Sequence, residues 1–153
     1  MPHKKMSIIV AKGGLDEIYP AFILASGARQ SGIEANMFFT FYGLNAVHDE
    51  KVDHLHVNLA GNAANPLPTV VAGLPGMEAI AAKMMTKKMK ALDIPAPREM
   101  LKMLDESGVD MYACKLAMEM FEFTKDDLVP QIRNVLTVGE FYDVSDGGQV
   151  IFT

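Results

Sequence analysis

The chain has very little cysteine: Cys114 is the only one in 153 residues, and tryptophan is absent. One cysteine cannot close an internal disulfide or build a paired-cysteine zinc motif, so the fold is neither stapled nor held by such a metal. Half of the residues are hydrophobic, yet no apolar run approaches the roughly 18 residues that span a bilayer. Met1-Pro2-His3-Lys4-Lys5 leads straight into a strand-like run without an h-region or a small-residue cleavage site. These absences predict a soluble cytoplasmic protein without a membrane span. Also missing are His-Glu-x-x-His, Gly-x-Ser-x-Gly, Gly-x-Gly-x-x-Gly and a Gly-Lys-Ser/Thr loop, so no standard zinc protease, serine hydrolase or nucleotide-fold signature is present. The formal charge of −5 argues against nucleic acid as the main partner, since phosphate binding needs a positive field.

What remains has a regular rhythm. Met6–Ala11 is a short apolar, β-branched run closed by Gly13-Gly14, as in a strand buried on both faces. Helical spacing follows through Ile18, Phe22, Ala25 and Ala28 to Ser31-Gly32, with Asp16 as the expected cap and Pro20 placing the regular start near Tyr19. Ala35–Phe41, closed by Gly43, is a second strand, and the trio makes a right-handed βαβ unit. From Asn45 to Pro75 no period holds. Pro75 is expected at the first position of an amphipathic helix to about Leu92, and a second helix spans Glu99–Ser107. Val109–Ala113 reads as a strand, Lys115–Phe123 as a helix, and Thr124-Lys-Asp-Asp127 as a capping box. A short strand within Val129–Val135, a helix Val138–Ser145 and a closing strand Gln149–Phe152 complete the chain. The alternation predicts a three-layer α/β sandwich on a mostly parallel sheet of about five strands. It also predicts a single domain over 1–153, with a long loop and methionine-rich helical insertion at about 45–108.

Cys114 is the first candidate for chemistry, at the predicted switch from strand to helix. Reactive groups in open α/β sheets gather at the carboxyl ends of strands, and a helix N-terminus favours a thiolate. The opposing reading is a small packed core residue. Gly13-Gly14 is either an anion-binding turn or a tight turn into the helix. His54-x-His56, with Asp53 and His48 nearby, offers metal-ligand atoms, but a surface loop is the better reading of the spacing. The twelve methionines are expected mostly in the core. Lys83, Lys87, Lys88 and Lys90 make one helix basic, and Asp105 to Asp127 is acidic, as solvated faces often are.

Four stretches together resemble the DsrE-like sulfur-carrier family (DsrE/DsrF/DsrH-like), in particular its larger members often labelled peroxiredoxin-like. They are Lys12-Gly-Gly-Leu-Asp16 with Tyr19–Ala28; Met37-Phe-Phe-Thr-Phe-Tyr-Gly-Leu-Asn45; Leu74–Glu78 leading into Lys83–Lys87; and Ala113-Cys-Lys-Leu-Ala-Met-Glu119 before Thr124–Leu128. The resemblance implies that Cys114 carries sulfane sulfur as a persulfide. It further implies a homo-oligomer, trimer or larger, that exchanges sulfur with rhodanese-type and TusA-type proteins. Sulfur transfer by thiolate attack needs no metal or organic cofactor, so none is expected. Gly13, Gly14, Phe41, Tyr42, Asn45 and Lys115 are expected to line a partly apolar pocket beside the thiol. Two residues depart from the family pattern: Ala117 stands where a serine is frequent, and Glu122 where a glycine is. The alternative to a sulfur carrier is a non-catalytic small-ligand or nucleotide-binding oligomeric module with a structural cysteine.

Overall fold

Residues 4–59, 64 and 66–153 are described by the computed structural model. The expected N-terminal entry through Met1-Pro2-His3, and residues 60–63 and 65 of the aperiodic stretch, lie outside the described residues. The strands are β1 Lys5–Val10, β2 Glu34–Phe39, β3 Asp110–Cys114, β4 Ile132–Leu136 and β5 Gln149–Phe152. The helices are α1 Leu15–Gln30, α2 Thr69–Ala72, α3 Met77–Ala91, α4 Pro97–Glu106, α5 Lys115–Met120 and α6 Val138–Ser145. Short 3-10 turns at Phe41–Val47 and Val52–His54 fill part of the connection from β2 to β3.

All strand pairs are parallel, in the order β4-β3-β2-β1-β5. The chain steps outward from β1 to β4 and returns past β1 to place β5. Right-handed crossovers therefore set α6 on the face opposite α1. Register divides the residues between the faces, since Ile8 pairs with Met37 and Ile9 with Phe38, which in turn pairs with Tyr112. On the α1 face Ile8, Val10, Met37, Phe39, Met111 and Ala113 are buried against the Ile18, Ala21, Phe22 and Ala25 stripe. On the other face the Phe38 and Phe141 rings stack with centroids 4.6 Å apart. The three-layer α/β reading thus holds, and the sheet is parallel throughout.

Several boundaries differ from expectation for identifiable reasons. Helix α1 starts at Leu15 rather than near Tyr19, and its cap is Gly14, not Asp16. The Glu17 carboxylate accepts the Gly14 N–H (3.2 Å) and His56 O accepts the Leu15 N–H (2.9 Å). These contacts hold the first turn, so Pro20 is accommodated inside the helix. Asp16 instead accepts the Asn58 N–H at 3.2 Å. Strand β2 ends at Phe39, two residues early, because Phe41 turns out of the sheet at φ +48°. The cap of α3 is Gly76 at φ +86°, which leaves Pro75 before the helix instead of at its first position. The methionines are less buried than expected. Met37, Met111 and Met118 lie in the core, but Met103 and Met120 are exposed, and so is Met84, because α3 rests on the body by a narrow stripe whose one buried residue is Ala82.

Candidate functional site around Cys114

Cys114 is the last residue of β3 and the N-cap of α5, with φ −75° and ψ 121°. Both neighbours of β3 are paired, β2 on one side and β4 on the other, so the thiol sits at the carboxyl end of an interior strand. That is the sheet edge where α/β folds place their ligands and reactive groups. The side chain is only 5% exposed and makes no cap hydrogen bond. The expectation of a thiol opening onto a pocket is therefore corrected: Cys114 is covered. Helix α5 is also shorter than expected, six residues ending at Met120, and Lys115 points outward as an exposed residue. Ala117 is fully buried at the third residue of α5.

Near this strand end, aromatic residues from the turn after β2 and from just beyond α5 pack together. Phe39 pairs with Ala113, so the chain leaves β2 directly beside Cys114. At Phe41 it adopts a left-handed φ that bulky side chains rarely hold. This turn brings the Phe41 ring edge-on to Phe121 (6.4 Å) and the Tyr42 ring to the same partner (5.7 Å). Phe121 continues to Phe123 at 5.7 Å, and Phe123 meets buried His48 at 4.7 Å, with Lys51 Nζ 5.6 Å from the Phe123 centroid. Each such pair contributes about 0.5–1.5 kcal/mol beyond the area it buries, enough together to hold a strained residue in place. Phe121 and Phe123 were not singled out in the sequence. Their spacing of two, just beyond the cysteine's helix, is the signal that was available.

A different logic governs Gly13. A Cβ at this position would collide with the Tyr42 carbonyl oxygen, and one at Gly43 would collide with Val10 O. The two glycines let the loops after β1 and β2 touch backbone to backbone, and Thr40 N–H bonds Val10 O at 3.0 Å. The turn is therefore a close-packing point, and its Gly14 and Leu15 N–H groups are engaged by the Glu17 carboxylate and His56 O. Gly13, Gly14, Tyr42 and Asn45 do line one cavity, of about 760 Å³, together with Lys12, Lys51 and His56. Cys114, Phe41 and Lys115 are not on its walls. The expected single pocket is thus two regions sharing Tyr42, which lines the cavity and also packs on Phe121.

The expected metal donors are dispersed. His48 is buried, with its Nδ1 accepting the Glu50 N–H at 3.2 Å. Asp53 is held by Arg98, which also binds Asp49 at 2.7 Å and so pins the 49–53 loop to the start of α4. These two carboxylates hold the Arg98 guanidinium above its ordinary range, first through their hydrogen bonds and then by charge. Tyr19 donates to Pro95 O at 2.6 Å, and burial raises its phenol. Of these candidates, Asp53, His54 and His56 line one cleft, but among the described residues no group of three or more ligating side chains converges.

Comparison with known proteins places this geometry in a lineage. The model of the DsrE/DsrF/DrsH-like family matches residues 2–151. The sulfur carrier protein DsrE2 of Allochromatium vinosum is 36% identical over 137 residues, covering 84% of this chain and 85% of the relative. The uncharacterised protein YrkE of Bacillus subtilis is 24% identical over 157 residues, covering 97% and 96%. Among solved structures, E. coli ychN matches with a TM-score of 0.58 at 14% identity, over 98% of this chain and 99% of that one. MTH1491 from Methanobacterium thermoautotrophicum, a protein of unknown function, matches with a TM-score of 0.51 at 12% identity, over the same shares. These two likenesses concern the fold alone. With a family model covering nearly all of its length and a well-covered relative at 36% identity, the chain belongs to the DsrE/DsrF/DrsH-like family.

Proposed function

We propose that this protein is a sulfur carrier that holds sulfane sulfur as a persulfide on Cys114 and relays it to partner proteins. One observation carries the reading: the only cysteine of a chain related to a sulfur carrier lies at the carboxyl end of an interior parallel strand. Loading begins with attack of the Cys114 thiolate on the sulfane sulfur of thiosulfate or a polysulfide. The new Sγ–S bond forms as the donor's S–S bond breaks, and sulfite or a shortened polysulfide leaves with the electron pair. Unloading repeats the exchange with an acceptor thiolate, which takes the terminal sulfur and returns Cys114 as thiolate. No net oxidant is needed. The low exposure of the thiol suits this role, since a persulfide in a buried position is shielded from water and oxidant. Delivery then requires the Phe41–Phe121 side to open for the partner.

The same reading includes a cytoplasmic setting, a homo-oligomer, and rhodanese-type and TusA-type proteins as exchange partners. Among the described residues no helix is long and apolar enough to cross a membrane. The nucleotide-binding alternative has less support, because the Gly14 N–H of the glycine turn that motivated it is engaged by Glu17 and Gly13 packs against the Tyr42 carbonyl. The test is intact-mass analysis after incubation with polysulfide, or with thiosulfate plus a rhodanese. The expected result is an adduct of about +32 Da, one added sulfur, removed by reductant and absent in Cys114→Ser. An unmodified wild-type chain under both conditions would sink the proposal.

A further inference from the structure

Beside the Gly13 cavity, across the His54–His56 segment, lies a second cleft of about 430 Å³. One wall is α3, which presents Lys83, Lys87 and Lys90 to it; the other is His54 and His56. Steps of four and three along a helix put these lysines on one face. No carboxylate pairs with any of them among the described residues. Asp53 is the one acidic residue of the lining, and its charge is already taken by Arg98 at 2.9 Å. Three lysines thus line one concave space in a chain whose net charge is −5.

The neighbouring cavity differs. There Lys12 and Lys51 are opposed by Glu17, Glu50 and Glu78, so it offers an anion no excess of positive charge. The floor of the α3 cleft is apolar, with Leu55 and Ala82 each 8% exposed and Ala79 beside them. Like charges this close repel one another unless a multiply charged anion sits between them. A lone carboxylate would neutralise one lysine; a phosphate monoester or a diphosphate carries about two charges or more near neutrality. We propose that the cleft between α3 and His54–His56 binds a small phosphate-bearing anion, independently of Cys114.

Calorimetric titration of the full chain at low ionic strength, with inorganic pyrophosphate and with AMP as separate probes, tests this. Saturable one-to-one binding of at least one probe is expected, weakened about tenfold or more by Lys83→Glu or Lys87→Glu. Lys88→Glu alters the same helix off the cleft, and Cys114→Ser alters the thiol; both are expected to leave the affinity within about threefold. Tighter binding of AMP than of pyrophosphate would assign the apolar floor to the organic part of the ligand, and the reverse order would assign the site to the bare phosphates. Absence of saturable binding by either probe would overturn the proposal. So would equal weakening by Lys88→Glu and Lys87→Glu, which is the signature of a diffuse field. Since Cys114→Ser is expected to bind normally, failure here and failure of the sulfur-carrier reading are separable. Circular dichroism of each variant guards against loss of fold, and these lysines are exposed.

Discussion

Replacing Glu122 by glycine should stabilise the protein, even though it deletes a charged side chain. Helix α5 ends with Phe123 N–H bonded to Met118 O (2.9 Å) and Glu122 N–H bonded to Glu119 O (3.2 Å). This paired closure is the Schellman motif, whose left-handed residue is usually glycine. Here that residue is Glu122, at φ +57°. A side chain in this conformation costs about 1–2 kcal/mol. Glycine removes that cost but adds about 0.4–1 kcal/mol of unfolded-chain entropy. The difference is a net gain of about 0.5–1 kcal/mol, or about 1–4 °C in Tm for a chain of this size. Glu122 is exposed, with no ion pair or side-chain hydrogen bond among those of the described residues, so little else is lost. Urea denaturation and scanning calorimetry on wild type, Glu122→Gly and Glu122→Ala would measure it. Alanine deletes the charge but keeps the Cβ, so it should leave stability nearly unchanged. Equal stabilisation by alanine and glycine would refute the backbone argument and point to relief of charge repulsion. A loss with glycine would refute it outright.

Other outcomes follow from the same geometry. Gly13→Ala should cost about 1–3 kcal/mol in urea unfolding, since its methyl meets a backbone carbonyl that no rotamer change can move. Phe41→Ala should speed native-state alkylation of Cys114 about fivefold or more if the ring is part of its cover, with Cys114→Ser as the blank; an unchanged rate would assign the cover to other residues. Arg98→Met should lower stability by about 1 kcal/mol or less, because the paired groups are half exposed, and added salt should shrink the difference. The Asp127 carboxylate accepts Thr124 N–H at 2.7 Å, which holds it below the ordinary carboxylate range. A depressed folded value means the contact's contribution is fully present above the ordinary carboxylate range and lost as pH falls through the lower, folded value. Carbon-13 titration of Asp127 should therefore show a low midpoint, and a midpoint within the ordinary range would contradict the bond.

Elements with a strong local period were legible in the sequence: Val138–Ser145 and Gln149–Phe152 match to the residue, and the strands fall within two residues of their expected ends. Misread boundaries are those fixed from a distance. The first turn of α1 is held by His56 O from a loop with no periodicity of its own. Helix α5 was read too long because its stop lies at Glu122, a residue that does not announce a left-handed turn as glycine would. Cys114 falls at the expected sheet edge, but its burial is not legible in the linear sequence, since it comes from the packing of the folded chain. The lysines of α3 read as a solvated face because the opposing wall, His54–His56, is about thirty residues away in sequence.

The glycine contact between the loops after β1 and β2 also has a mechanical meaning. Side chains in contact can slide past one another by changing rotamers, but two backbones pressed together at Gly13 and Gly43 have no such freedom. The lip that carries Phe41 and Tyr42 is therefore coupled to the turn that opens α1. A displacement large enough to bare the thiol must either carry the β1 loop along with it or hinge between Phe41 and Gly43. Those two options leave different traces in hydrogen exchange, since only the first would expose the Thr40 N–H together with the start of α1.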